Sequence, residues 1–165
     1  MMPPLEPPDP IKHFIEAALR IDVDTMFTLV DWQLTHAADW ARSFDDPALP
    51  EDRLVEVTES GLQEMEHATL GMARNRLAQL ALHLAQGGHA QPASDEQRAR
   101  ARAHVLVPPV VRPLPPHVTD RLAAWRARSA NVSDPWAVIT GDRTLWLMLN
   151  PERDRIIIIK QSAMQ

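Results

Sequence analysis

Glu64 and His67 stand three residues apart in Glu64-Met65-Glu66-His67, the Glu-x-x-His step that di-iron carboxylate bundles use in pairs. On a helix this spacing puts carboxylate and imidazole on one face, where both can reach the same metal ion. His36 and Asp39 repeat the separation and offer a second nitrogen and oxygen pair. Together the four side chains are the candidate ligands of a metal-dependent helical-bundle enzyme. The second Glu-x-x-His is missing, however, and His36 falls between Trp32 and Trp40 at helical spacing, the setting of a core histidine. The leading expectation is therefore no metal, no cofactor and no catalytic residue.

Other chemistries find less support. Cysteine is absent, which removes thiolate nucleophiles, zinc–thiolate sites and disulfides. No Gly-x-Ser-x-Gly and no glycine-rich phosphate loop occurs, and Gly87-Gly88 reads as a helix stop.

Charge is distributed in blocks. Residues 1–97 carry six basic and 17 acidic side chains, and residues 98–165 carry 11 basic and five acidic ones, giving −11 and +6. The basic part draws anions, and the acidic part repels them. Arg98 and Arg102 share a helical face, as do Arg121 and Arg128, with Arg126 between them. These five are the candidate nucleic-acid or anion contacts. A helix followed by a β-hairpin also suits a winged helix, with Gly141-Asp142 at the wing tip. Against that stands the acidic rest of the chain, since a nucleic-acid footprint usually makes the whole domain basic. Pairing of the arginines with the acidic half is the favoured expectation.

The elements that must position these groups follow from periodicity. Five prolines in the first ten residues make an extended arm, residues 1–9, with no signal-peptide pattern. Asp9-Pro10 opens a first helix to Leu19. One helix is expected from Asp22 or Asp24 to Phe44, because polar residues recur at Asp24, Thr28, Asp31, Thr35, Asp39 and Arg42. A third starts after a turn at residues 45–52 and reaches about Gln86. Its inward residues include Leu54, Leu62, Met72 and Leu77, and Gly61 and Gly71 are points of weakness. Ser94 and Gln97 form a capping box for a helix to about Val105.

Residues 105–116 hold five prolines and read as an extended strap. Within it, Arg112-Pro113-Leu114-Pro115-Pro116 resembles the core of peptides bound by SH3 domains, although His117-Val118 departs from that pattern. A last helix begins at Thr119 or Asp120, with Leu122 and Trp125 inward. The period then changes to two, and three strands are expected at 136–140, 143–149 and 155–160.

The fold expected is α+β. It has an acidic helical bundle of three to four helices at residues 10–104, the strap, then a basic helix with a three-stranded antiparallel meander at 117–165, packed as one unit. Both faces of the meander are apolar, unlike a sheet with one solvated face. Trp146, Met148, Ile156 and Ile158 are thus candidates for a dimer or partner interface, with Arg155 and Lys160 as guards against edge pairing.

The function expected is a non-enzymatic interaction protein, an adaptor, inhibitor or assembly factor of bacterial, phage or mobile-element origin. It would bind a protein partner or itself through the acidic bundle or the meander. The alternative is a nucleic-acid-associated protein using the arginine-rich segment, and a metal-dependent enzyme comes third. A cytoplasmic location, no membrane and no small-molecule substrate complete the expectation.

Overall fold

The structure is a computed structural model that describes residues 6–50, 52, 53, 58–141, 143–160 and 164. Leu54, Asp142 and the first five residues of the proline arm lie outside these. Among the described residues six helices surround a four-stranded antiparallel sheet, so the class is α+β. The helices are α1 (Asp9–Leu19), α2 (Val23–Leu29), α3 (Trp32–Phe44), α4 (Glu59–Leu84), α5 (Asp95–Val105) and α6 (Pro116–Ser129). The strands are β1 (His89–Pro92), β2 (Trp136–Thr140), β3 (Arg143–Leu149) and β4 (Ile156–Ile159), in spatial order β1-β2-β3-β4.

Four expectations about elements need correction. The sheet has a fourth strand, β1, where only a helix stop is expected. It pairs with β2 through backbone bonds at the sheet edge and is largely exposed, so it needs no apolar alternation, and Pro92 suits an edge.

The segment from Asp22 to Phe44 is two helices. Val30 is extended and bridges Ile156, and the Asp31 N–H donates to the Ile156 carbonyl at 2.8 Å. Strand β4 thus recruits Val30-Asp31 out of the helix, and the Asp31 side chain caps α3 by accepting from the Leu34 N–H at 3.1 Å.

Helix α4 runs unbroken through Gly71, and Met72 points outward at 59% exposure. At the other termini prolines set the starts: Pro8 precedes α1, which takes Asp9 and Pro10 into its first turn, and Pro115 precedes α6 with Pro116 at its first position. The capping box stands as expected, with Ser94 accepting from Gln97 N–H and Gln97 accepting from Ser94 N–H.

Register divides the sheet into two apolar faces. Val138 lies opposite Leu145, and Leu147 opposite Ile158, so Trp136, Val138, Leu145, Leu147, Ile156 and Ile158 share one face. That face meets α1, α2 and α4 through Phe14, Met26, Leu77 and Leu84. Ala137, Trp146, Met148, Ile157 and Ile159 form the other face and pack on Leu34, Ala101 and Val105 of α3 and α5. A third cluster joins Trp40 and Phe44 of α3 to Leu62, Val107, Leu122 and Trp125, so the strap lies over a core.

The chain's own helices therefore pack on both faces. Trp146, Met148 and Ile156 are buried at 6%, 0% and 0% exposure, which makes them core rather than an assembly surface. Ile158 alone among the four is half-buried. The β4 edge is closed as well. Asp31 N–H takes one carbonyl and the Ile158 N–H donates to Thr35 Oγ1 at 3.4 Å, so this edge is covered by the start of α3 rather than guarded by Arg155 and Lys160.

Candidate functional site

The helical layer over the first sheet face is incomplete. At the end of the sheet formed by Thr140, Arg143 and Lys160, α3 and α4 diverge and leave a cleft of about 290 Å³. Its floor is apolar: Leu77 and Leu80 from α4, Leu145 from β3 and Ile158 from β4. Helical spacing aligns Arg76, Leu80 and His83 along one face of α4, and period two aligns Arg143 with Leu145 on β3 and Ile158 with Lys160 after β4.

The rim is basic. Arg76, Arg143 and Lys160 line the cleft against a single carboxylate, Asp39. Lys160 Nζ lies 3.6 Å from Asp39, which also binds Arg42 at 3.2 Å, so the one acid is already matched. Arg76 and Arg143 meet no carboxylate among the described residues. Arg143 Nη1 stands 3.2 Å from His83 Nε2. A guanidinium has no acceptor, so it donates and the imidazole nitrogen receives.

Three histidines, His36, His83 and His104, complete the lining. His36 is held between aromatic rings, 6.2 Å from Trp32 and 5.9 Å from Trp40. Burial pushes its pKa below the ordinary histidine value; Asp39 opposes this, and Arg76 and Lys160 reinforce it. Burial likewise lowers His104, with Arg42 adding to the effect. Trp32 is anchored by its indole N–H, which donates to the Phe27 carbonyl at 3.0 Å.

Of the metal candidates, His36 and Asp39 line this cleft, while Glu64 and His67 are exposed on the early turns of α4 and do not join them. Among the described residues no group of three or more histidines and carboxylates converges to hold a metal. The four candidate ligands are thus not brought together, and Asp39 is engaged by Lys160 and Arg42.

The arginine candidates are scattered and individually bound. Arg98 pairs with Asp95 one turn away, and Arg102 meets Asp134 at 2.6 Å. Arg121 pairs with Glu59 and, at 2.7 Å, with Glu66 of α4. Arg126 donates from Nε to the Val107 carbonyl at 3.2 Å. Arg128 meets Asp31 and Glu152, both at 2.8 Å. Its hydrogen bonds to Glu152 and Asp31 raise the guanidinium pKa, and the same contact lowers Glu152. Four of the acids, Asp95, Glu59, Glu66 and Asp31, come from the acidic half, so the two halves neutralise one another at these contacts.

Arg112 is a strap fastener. It donates to the carbonyls of Asp46 at 2.8 Å and Leu49 at 2.6 Å, while Leu114 packs on the third core cluster.

A second, more open cavity lies between α3, α4 and the β3–β4 turn, beside Asp31, Arg128, Asn150 and Glu152. Its polar groups are satisfied by one another: the Asn150 amide donates to Asp31 at 3.2 Å and to Asp154 at 2.9 Å. This is a brace between α3, α6 and the turn.

Sequence reading missed Arg76, His83, His104 and Arg143. Their alignment on helix and strand faces is visible afterwards, but it resembles any solvated charged face. No helix among the described residues is long and apolar enough to cross a membrane. Comparison with known proteins finds no matching family model, no matching curated protein and no matching solved structure.

Proposed function

We propose that the protein is a non-enzymatic binding protein whose recognition site is the cleft between α3 and α4. The observation that carries this reading is the apolar floor at Leu77 and Leu80 of α4, Leu145 of β3 and Ile158 of β4, which lines an opening. Small-molecule and side-chain binding sites are concave and mostly apolar, with a few polar groups fixing orientation. The interaction-protein expectation is kept, but its surface moves. Burial of Trp146, Met148 and Ile156 argues against the meander, and occupied arginines on α5 and α6 argue against a nucleic-acid footprint.

The test uses N-phenyl-1-naphthylamine, a neutral apolar dye, with the intact folded chain. Leu80 lines the cleft floor and is half-buried. Leu80→Trp places an indole in the opening, and a thermal melt verifies that the variant folds. Saturable dye binding at one site, lost in the folded variant, is expected. Dye binding that is absent, or unchanged by Leu80→Trp, would overturn the reading.

A further inference from the structure

We infer that the occupant of the cleft is a short amphipathic carboxylate, its hydrocarbon chain on the floor and its head group between Arg76 and Arg143. This rests on the reading of the cleft as the recognition site and adds the chemistry of the ligand. The floor excludes a ligand that is polar throughout, because burying the leucine and isoleucine side chains is favourable only against apolar atoms. The volume of about 290 Å³ lies just under the usual range of small-molecule pockets, ~300 to 1,000 Å³, so the chain is short.

Charge selects the head group. Three cations face one carboxylate, and that carboxylate, Asp39, is held by Lys160 at 3.6 Å and Arg42 at 3.2 Å. Among the described residues the positive charge left over is therefore that of Arg76 and Arg143. Each guanidinium offers a planar fork of donors that matches a carboxylate and accepts nothing. Arg143 commits one nitrogen to His83 at 3.2 Å, which fixes the direction of the fork and leaves its other donors for a ligand. A neutral chain would leave these donors to water, and a cationic one would meet repulsion. Nearby basic groups act in the same sense: His36 and His104 add positive charge when protonated and never negative charge.

The experiment is calorimetric titration of the intact chain with three probes of equal chain length, decanoate, decanol and decyltrimethylammonium, the ions below their micelle concentrations and decanol below its solubility limit. Decanoate is expected to bind one per chain, at least tenfold tighter than decanol, with no measurable binding of the ammonium. Arg76→Gln and Arg143→Gln are each expected to weaken decanoate about tenfold, as loss of a charged hydrogen bond implies, and decanol by a smaller factor. Equal affinity for decanoate and decanol, or insensitivity to both substitutions, would overturn the carboxylate inference and leave the cleft standing as an apolar site. Failure of all three probes to bind would overturn the cleft reading itself. Preference for the ammonium would reverse the sign of the inference.

Discussion

Arg128 donates to Asp31 Oδ2 at 2.8 Å across 97 residues of sequence, tying the last turn of α6 to the N-cap of α3. Asp31 is almost wholly buried, its side chain 8% exposed, while Arg128 keeps 30%. Removing the guanidinium leaves a buried carboxylate with only Leu34 N–H and the Asn150 amide. Breaking a fully buried pair costs ~3–5 kcal/mol, and solvent at Arg128 reduces the expected cost of Arg128→Ala to about 2 kcal/mol. Asp31→Ser keeps a capping oxygen, removes the charge and sets no second amide donor against Asn150. Urea denaturation of Arg128→Ala and of the double variant checks this. The double variant should be more stable than Arg128→Ala alone, and equal stabilities would deny the coupling.

His36 makes the fold acid-sensitive. Burial holds its folded pKa below ~6.5, the value of the unfolded chain, so the unfolded state binds more protons as pH falls through that range. The neutral imidazole's contribution is fully present above pH ~6.5 and is lost as pH drops through the folded pKa. His104 acts in the same direction. Melting temperatures between pH 7.5 and pH 5 should decline, and His36→Gln should flatten the decline. An unchanged slope in the variant would contradict the assignment.

Ile21 occupies a left-handed position, φ 53°, just after α1. The Asp22 N–H donates to Ala17 and the Ile21 N–H to Ala18, the paired bonds of a Schellman turn, where glycine is the favoured residue. A β-branched residue there is strained by ~1–2 kcal/mol. Ile21 is 48% exposed and contributes to none of the three core clusters. Ile21→Gly should therefore raise stability by about 1 kcal/mol, read as a shift in the denaturation midpoint. A loss of stability would show that the side chain contributes more packing than strain.

Trp146 separates a core sheet from an assembly surface. At 6% exposure among Met148, Ile157 and Ala101, its truncation alone would cost ~3–5 kcal/mol, and a charge in its place more. Trp146→Glu should be unfolded or insoluble. Sedimentation of a folded, soluble monomeric Trp146→Glu derived from an oligomeric parent would instead place the residue at an interface.

Much of the local structure was legible from residue pattern. Strands β2 and β3 follow from alternation and keep the bounds read for them, because their neighbours on both sides demand apolar residues. The Ser94–Gln97 capping box is a purely local signal. What was not legible is tertiary. Nothing near Val30 marks a helix break, since the break is made by pairing with Ile156 from the far end of the chain. Strand β1 is held by backbone bonds and leaves little trace in its side chains. The cleft is less legible still. It is a gap between α3 and α4, and Arg76 on a charged helix looks the same whether or not a cavity lies beside it.

The most direct measurement is a two-dimensional amide spectrum of the intact chain titrated with decanoate. Shifts should concentrate at the Trp32 indole and at amides of Thr69 to His83, Arg143 to Leu145 and Ile158 to Lys160, the segments that line the cleft. Perturbations confined instead to Arg98, Arg102, Arg121 and Arg126 on α5 and α6, with the cleft silent, would contradict a binding site between α3 and α4.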